Sequence, residues 1–112
     1  MTDEFRVTSL KTQWLSLDAA ENPRKIAYLA RPGQAPGLFW LNGFRSVMTG
    51  LKASAVDALG AEHGLGVTRF DYSGHGESGG DFDEATIGGW LEETLAVFAL
   101  TEGPQVVIGS SM

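Results

Sequence analysis

The 112-residue sequence contains no cysteine, which excludes disulfide bonds and thiolate metal sites. It has only two histidines, His63 and His75, too few for a His-rich zinc site. Lys and Arg number 8 against 14 Asp and Glu, and they are scattered, so the chain offers no basic stripe to nucleic acid. We therefore predict no metal, no cofactor and no nucleic-acid partner.

Long apolar runs are also missing, since no stretch approaches the ~20 residues that a membrane span requires. The first six residues are acidic and resemble neither a secretory signal nor a transit peptide. A cytoplasmic location is the resulting expectation. The hydrophobic content of 43% and the charged content of 20% are typical of a globular protein, and the length predicts one domain, residues 1–112.

The first third of the chain predicts antiparallel strands. Phe5–Leu17 is rich in aromatic and β-branched residues and predicts one or two outer strands, and Lys25–Arg31 alternates as a strand does. Turns are predicted at Ala19–Arg24 and at Pro32–Gly37, where Asn, Pro and Gly are concentrated.

From Leu38 onwards the pattern alternates between strands and helices. Short apolar runs predict buried strands at 38–41, 66–72 and 105–108. Two amphipathic helices are predicted between them. The first helix is predicted to end near Gly64, and its side chains expected to face the core are Val47, Met48, Leu51, Ala55 and Leu59. The second helix is predicted to end at Gly103-Pro104, and its side chains expected to face the core are Ile87, Trp90, Leu91, Leu95 and Phe98. The fold class is thus α/β, a mostly parallel sheet with flanking helices and an antiparallel strand near the N-terminus.

The last predicted strand leads into Gly109-Ser110-Ser111-Met112, the first four residues of a G-x-S-x-G motif. In that motif the serine lies on a strained strand-to-helix turn that exposes its hydroxyl above the sheet, and the residue two before it must be small. Gly109 meets this need, and Ser111 is the predicted nucleophile. Gly-x-Ser by itself also fits a strand followed by a polar loop, but its place after the third strand of the parallel unit favours catalysis.

A second loop, Asn42-Gly43-Phe44-Arg45, follows the 38–41 strand and precedes a helix. An acyl-transfer site needs backbone N–H groups to bind the oxyanion. We predict Phe44 as one donor and Met112, the residue after the nucleophile, as the other. Gly43 would let the backbone approach the substrate closely. An ordinary strand-to-helix turn is the alternative.

A third segment, 71–80, fits the pattern D-x-x-G-x-G-x-S at Asp71, Gly74, Gly76 and Ser78. Together the three segments resemble the α/β-hydrolase family, from about residue 25 to the end of the chain. The resemblance implies the N-terminal half of an α/β-hydrolase fold, serine-dependent hydrolysis of carboxylic esters or thioesters, and a mainly structural 71–80 loop. Asn42 departs from the family, which usually has His before the glycine of the oxyanion loop.

Within the family, Gly43–Ser46, Met48–Gly50 and the 71–80 loop look closest to the branch of abhydrolase domain-containing protein 10, which includes a mitochondrial acyl-protein thioesterase. The family's triad acid and His come later in the chain than the serine. Both would follow Met112, so we expect the 112-residue chain alone to be inactive. The strand Gln105–Ile108 would also be an exposed edge, which predicts self-association. A non-catalytic interaction module, or a partner-dependent half of a hydrolase, is the alternative function.

Several other residues have both a functional and a structural interpretation, and the structural one is favoured for each. His75 is predicted as a loop residue and His63 as a solvated helix end. The run Gly74–Gly79 fits G-x-G-x-x-G, but acidic residues at 81–84 separate it from the next helix and would repel a pyrophosphate, which disfavours a nucleotide-binding oxidoreductase. That acidic cluster is predicted as a solvated turn rather than a Ca²⁺ loop. Three aromatic side chains are predicted in the core: Trp40, Trp90 and Phe98.

Overall fold

A computed structural model describes residues 10–17 and 23–111. The part of the predicted outer strand before residue 10, most of the first predicted turn, and Met112 lie outside these residues. The elements in chain order are β1 (Gln13–Leu17), β2 (Arg24–Arg31), β3 (Gln34–Leu41), α1 (Leu51–His63), β4 (Leu65–Phe70), a short 3₁₀ helix (Phe82–Glu84), α2 (Ile87–Phe98) and β5 (Gln105–Gly109). No helix in the described part is long and apolar enough to cross a membrane.

The five strands form one mixed sheet in the order β1-β2-β4-β3-β5. Strand β2 pairs antiparallel with β1 and with β4, whereas β3 pairs parallel with β4 and with β5. The α/β class, the flanking helices and the antiparallel strands near the N-terminus are confirmed. Among the described residues β5 is an edge strand.

Several predicted boundaries differ from the structure. Strand β3 begins at Gln34 rather than Leu38, because the backbone N–H of Gln34 donates to the Gly64 carbonyl and that of Gly37 to the Pro104 carbonyl. The predicted turn at 32–37 is therefore shorter. Helix α1 begins at Leu51, after a turn closed by the Gly50 N–H, and α2 ends at Phe98, well before Gly103.

Side chains alternate along a strand, so the sheet presents two faces, and both of them are covered. On one face, Ile26 of β2 packs in a cluster with side chains of β3, β4 and α2: Phe39, Phe70, Tyr72, Trp90 and Val97. On the other face, Ala27 and Leu29 pack with Met48, and α1 lies over β3 and β4.

The predicted inward face of α1 is largely wrong, although Met48, which precedes the helix, is buried as expected. Leu51 is 93% exposed and Leu59 is 49% exposed, whereas Ala53, Asp57 and Gly60 are buried. Two contacts explain this. Gly60 packs directly on Val67, where a β-carbon would lie 2.2 Å from Val67 Cγ2, and Asp57 forms an ion pair with an arginine of the sheet. Both contacts turn the leucines outward.

The predicted inward face of α2 is also largely wrong, although Trp90 is buried as expected. The apolar residues Ile87, Leu91 and Leu95 are 59–69% exposed. Glu93, which is not part of the predicted apolar face, is fully buried, because its carboxylate accepts hydrogen bonds from the Arg24 side chain and the Ser73 backbone. Each helix thus turns a carboxylate, rather than its leucines, towards the sheet.

Candidate active site

The loops after β3, β4 and β5 meet at one edge of the sheet, at the carboxyl ends of its parallel strands. Ligand sites of α/β proteins form at this edge. A cavity of about 330 Å³ lies there, between the loop after β3, the start of α1 and the end of β5. The predicted nucleophile and the predicted oxyanion loop both line it, through Gly43, Phe44, Ser110 and Ser111.

Ser111 has a left-handed backbone, with φ of 65°. This conformation is uncommon for a residue with a β-carbon and stores strain of about 1–2 kcal/mol. It agrees with the strained turn expected at a nucleophile elbow. The steric need expected at Gly109 is not seen within the described residues, since a β-carbon there would meet Leu41 Cβ at 3.7 Å, an ordinary contact.

Gly43 brings the predicted oxyanion loop against the predicted nucleophile elbow. A β-carbon at position 43 would lie 2.9 Å from the Ser110 carbonyl oxygen and 3.0 Å from Ser111 Cβ. Any side chain would therefore force the two loops apart. Gly43 thus makes a close approach to the serine loop, whereas the approach to substrate expected from the sequence stays a prediction.

The backbone N–H of Phe44 forms no hydrogen bond within residues 10–17 and 23–111. The residues on either side are engaged: the Gly43 carbonyl accepts from the Ser46 N–H, and the Arg45 N–H donates to His75. The Phe44 side chain is half exposed and packs against Phe82. The other predicted donor, Met112, lies outside the described residues.

Asn42 holds the base of the oxyanion loop. Its side-chain oxygen accepts from Trp40 Nε1 at 2.6 Å, and its amide nitrogen donates to the Phe70 carbonyl at 2.7 Å, which ties β3 to β4. The Tyr72 hydroxyl donates to the Asn42 carbonyl at 3.1 Å. Burial raises the pKa of Tyr72, so the phenol stays protonated as this contact requires. The amide of Asn42 thus bridges the two strands at a position where the family usually has His.

Asp71 connects the 71–80 loop to the turn before α1. Its buried carboxylate accepts from the backbone N–H of Met48 at 2.7 Å and of Glu77 at 2.9 Å. Burial raises the pKa of Asp71, and the two backbone N–H groups offset part of that rise. Gly76, with φ of 50°, is required here because a β-carbon would lie 2.1 Å from Asp71 Oδ2. These contacts are structural, as the resemblance implies.

His75 lies in this loop as predicted, but it is buried and makes contacts that the sequence does not reveal. It is only 6% exposed, and its ring is packed between Tyr72, Phe82 and Trp90. Its Nε2 is 3.1 Å from the Arg45 nitrogen, so it contacts the oxyanion loop directly. His63, in contrast, is exposed at the C-terminal end of α1, as predicted.

Lys52, in the first turn of α1, is a cavity residue that sequence reasoning missed. Its ammonium donates to Ser110 Oγ at 3.0 Å, beside Ser111. Only the fold brings this lysine to the elbow, because the two residues are 58 positions apart.

The remaining predictions divide between core and surface. Trp40 and Trp90 are buried as expected, whereas Phe98 is 40% exposed and makes an edge contact with the buried ring of Phe39. Asp81 caps the 3₁₀ helix by accepting from the Asp83 N–H, which fits a solvated turn. No cluster of three or more metal-ligating side chains occurs among the described residues.

No family model matches the chain. It is 36% identical over 119 residues to the mitochondrial palmitoyl-protein thioesterase ABHD10 of Bos taurus, a match that covers 96% of this chain and 38% of the relative. The chain spans 32–38% of the length of its first three curated relatives. These relatives belong to the branch that the sequence resembles, but their mitochondrial names contradict the cytoplasmic location expected from the N-terminus.

Solved structures agree with these relatives. A protein of Agrobacterium vitis S4 superposes with a TM-score of 0.87 at 45% identity, covering 93% of this chain and 41% of that protein. The mouse α/β hydrolase domain-containing protein 10 superposes with a TM-score of 0.79 at 37% identity, covering 88% of this chain and 40% of that protein. The predicted fold and the predicted branch are therefore confirmed.

Proposed function

We propose, for a chain that belongs to the α/β-hydrolase family, that Ser111 is the nucleophile in the hydrolysis of carboxylic esters or thioesters. The observation that carries this proposal is the left-handed Ser111 at the end of β5, packed against Gly43 of the loop after β3. This juxtaposition puts a strained serine beside backbone N–H groups in one cavity.

The chemistry is acyl transfer in two steps. The Ser111 oxygen attacks the carbonyl carbon of the substrate, its proton passes to a general base, and the alcohol or thiol leaves with a proton. Water then attacks the acyl-serine ester and releases the carboxylic acid. Each tetrahedral intermediate carries a negative oxygen, and each N–H donor aimed at that oxygen is worth about 3 kcal/mol.

Phe44 N–H and Met112 N–H are the proposed oxyanion donors. Phe44 supports this role in two ways, because its N–H is unpaired in the described chain and it lines the cavity with Ser111. Met112 directly follows the nucleophile, where hydrolases of this fold place the other donor.

Neither histidine of the chain is suited to be the general base. Both ring nitrogens of His75 are engaged, by the Arg45 nitrogen and the Ser73 carbonyl. His63 lies at the far end of α1, roughly 16 Å along the helix axis from Lys52 at about 1.5 Å per residue. The proposed base and acid therefore belong to the part of the relatives that this chain does not cover, and residues 1–112 alone are expected not to turn over.

The substrate class follows from the relatives. They are named palmitoyl-protein thioesterases, so an S-palmitoyl thioester is the proposed substrate. The exposed apolar side chains of Leu51 and Phe44, both at the cavity, fit a long acyl chain.

The test is hydrolysis of p-nitrophenyl butyrate and of an S-palmitoyl peptide by the product of the complete reading frame, beside the 112-residue chain. Ser111→Ala is expected to lower kcat by about a thousandfold or more. Ser110→Ala, which removes the neighbouring hydroxyl, is expected to lose no more than about tenfold. Activity that survives in Ser111→Ala would contradict the assignment, and an inactive complete product would favour the non-catalytic interaction module.

Self-association of the 112-residue chain is a second part of the proposal. Among the described residues β5 is one of the two edge strands of the sheet, and its Val106 and Val107 are 46% and 52% exposed. Unpaired backbone groups beside apolar side chains favour strand pairing between copies. Sedimentation of the chain should show dimers or larger species, and a clean monomer at high concentration would contradict this.

A further inference from the structure

His75 has a hydrogen-bond pattern that determines which ring nitrogen carries the proton. The Arg45 backbone N–H can only donate, so Nε2 of His75, 3.1 Å away, must accept. The proton is then on Nδ1, which lies 3.1 Å from the Ser73 carbonyl and donates to it. The imidazole is therefore neutral, with a single tautomer, and connects the 71–80 loop to the loop after β3.

The residue at the other end of this contact has a strained backbone. Arg45 has φ of 63°, a left-handed conformation that costs about 1–2 kcal/mol for a residue with a β-carbon and persists only where its surroundings enforce it. Two contacts hold this residue, one from the 71–80 loop and one from the 3₁₀ helix that follows it. His75 accepts the Arg45 N–H, and the Phe82 ring lies 4.8 Å from the Arg45 guanidinium carbon.

Arg45 directly follows Phe44, the proposed oxyanion donor, and shares a peptide bond with it. The His75 contact therefore restrains the peptide unit next to the Phe44 N–H. Without the acceptor, the Phe44–Arg45 peptide would be free to rotate, and misplacement of a catalytic group by about 1 Å can cost about a hundredfold in rate.

We propose that His75 is a positioning residue, whose neutral Nε2 acts as a fixed acceptor that orients the oxyanion loop. This inference rests on the proposed function of Ser111 and Phe44. It assigns His75 neither proton transfer nor contact with substrate. The competing explanation is that the ring only fills space between Tyr72, Phe82 and Trp90.

Two variants of similar size separate these explanations. Glutamine offers an amide oxygen where Nε2 stands, whereas methionine fills the same space with no comparable acceptor. In the complete gene product, His75→Met should lower kcat about tenfold to a hundredfold with KM changed by less than about twofold, and His75→Gln should stay within about threefold of wild type. His63→Gln, at the exposed end of α1, is the matched control and should match wild type. Equal losses for His75→Gln and His75→Met, or a loss confined to KM, would overturn the proposal.

A measurement on the 112-residue chain is independent of hydrolysis. Two-bond ¹⁵N–¹H correlations of the His75 ring at neutral pH should show the proton on Nδ1, and His75→Met should shift the Arg45 amide resonance. A proton on Nε2 would overturn the inference even if both variants lose activity or fail to fold. If Ser111→Ala instead retains activity, the nucleophile assignment fails. The tautomer of His75 measured by NMR would still test the contact between His75 and the Arg45 backbone, because that measurement does not depend on hydrolysis.

Discussion

Asp57 of α1 and Arg31 of β2 form a bidentate ion pair, in which Arg31 Nε and Nη2 each lie 2.8 Å from a different carboxylate oxygen. Arg69 of β4 adds a second cation 3.5 Å from Asp57 Oδ2. Burial alone would raise the pKa of Asp57. The hydrogen bond from Arg31 and the charges of both arginines outweigh it, and the pKa lies below its usual value. This pair explains why α1 turns a carboxylate, rather than its leucines, to the sheet.

Replacing Asp57 by Asn should therefore destabilise the 112-residue chain by about 3 kcal/mol at neutral pH, because the carboxylate that two buried guanidinium groups share loses its charge. The depressed pKa sets the pH dependence. The stabilisation is present above the unfolded pKa of about 3.9 and is lost as the pH falls through the lower folded pKa. Urea denaturation at neutral pH and below pH ~3 should show the difference from wild type shrinking in acid. Glu62→Gln, exposed on the same helix, is the control, and an equal loss there would contradict the prediction.

Glu93 of α2 is the equivalent residue on the other face of the sheet. It is fully buried, with Oε2 2.7 Å from Arg24 Nε and Oε1 2.8 Å from the Ser73 nitrogen. Glu93→Gln should cost about 3 kcal/mol, because a buried arginine loses the charge of its buried carboxylate partner. Glu92 also contacts Arg24, but its side chain is 56% exposed, so Glu92→Gln should cost no more than about 1 kcal/mol. Urea midpoints of the two variants give the comparison, and equal losses would be evidence against the buried pair.

Gly43→Ala tests the approach of the oxyanion loop to the serine. The added methyl group would contact Ser110 and Ser111, so we expect a loss of about 1–3 kcal/mol in stability and a fall in kcat of the complete gene product of about tenfold or more. Gly88→Ala in α2 has open space, with Thr86 Oγ1 at 4.0 Å, and should be neutral or stabilising by up to about 1 kcal/mol. Thermal unfolding and ester hydrolysis provide the two readouts. Wild-type kcat in Gly43→Ala would show that the contact is not needed.

The orientation of α2 gives a further test on the 112-residue chain. Leu91 and Leu95 are about 60% exposed, so replacing both by Lys should change stability by less than about 1 kcal/mol and should reduce association. Val97 is fully buried, and Val97→Ala should cost about 2 kcal/mol through lost burial and a cavity. Urea denaturation and sedimentation measure the two effects. A large loss in the double Lys variant would mean that the leucines face the core after all.

Local patterns in the sequence predicted the order of strands and helices and the loops of the site. Turn chemistry and apolar periodicity depend on neighbouring residues, and they are visible without the fold. Gly43 is an example, because its place between a strand and a helix predicted a close backbone approach to substrate, and the structure shows a close approach to the serine loop. Ser111 was singled out in the same way, from Gly109 and the strand before it.

The contacts that hold the site could not be predicted, because each joins residues far apart in sequence. His75 and Arg45 are 30 positions apart, and Asn42 and Phe70 are 28 apart. Nothing near His75 indicates that its ring accepts a hydrogen bond from the oxyanion loop. The location was also predicted wrongly, since the acidic N-terminus pointed to the cytoplasm and the relatives are mitochondrial.

The sequence by itself determined which segments become strands and helices, and where tight turns place Gly43, Gly76 and Ser111, because these depend on local backbone and side-chain sterics. Only the tertiary structure decided which face each helix buries. Arg24 and Arg31 are seven residues apart on β2, so they emerge on opposite faces of the sheet, and each binds the carboxylate of the helix above it. Leaving a buried guanidinium without a carboxylate costs more free energy than leaving a leucine exposed to solvent. Such a pairing cannot be predicted from the apolar periodicity of either helix.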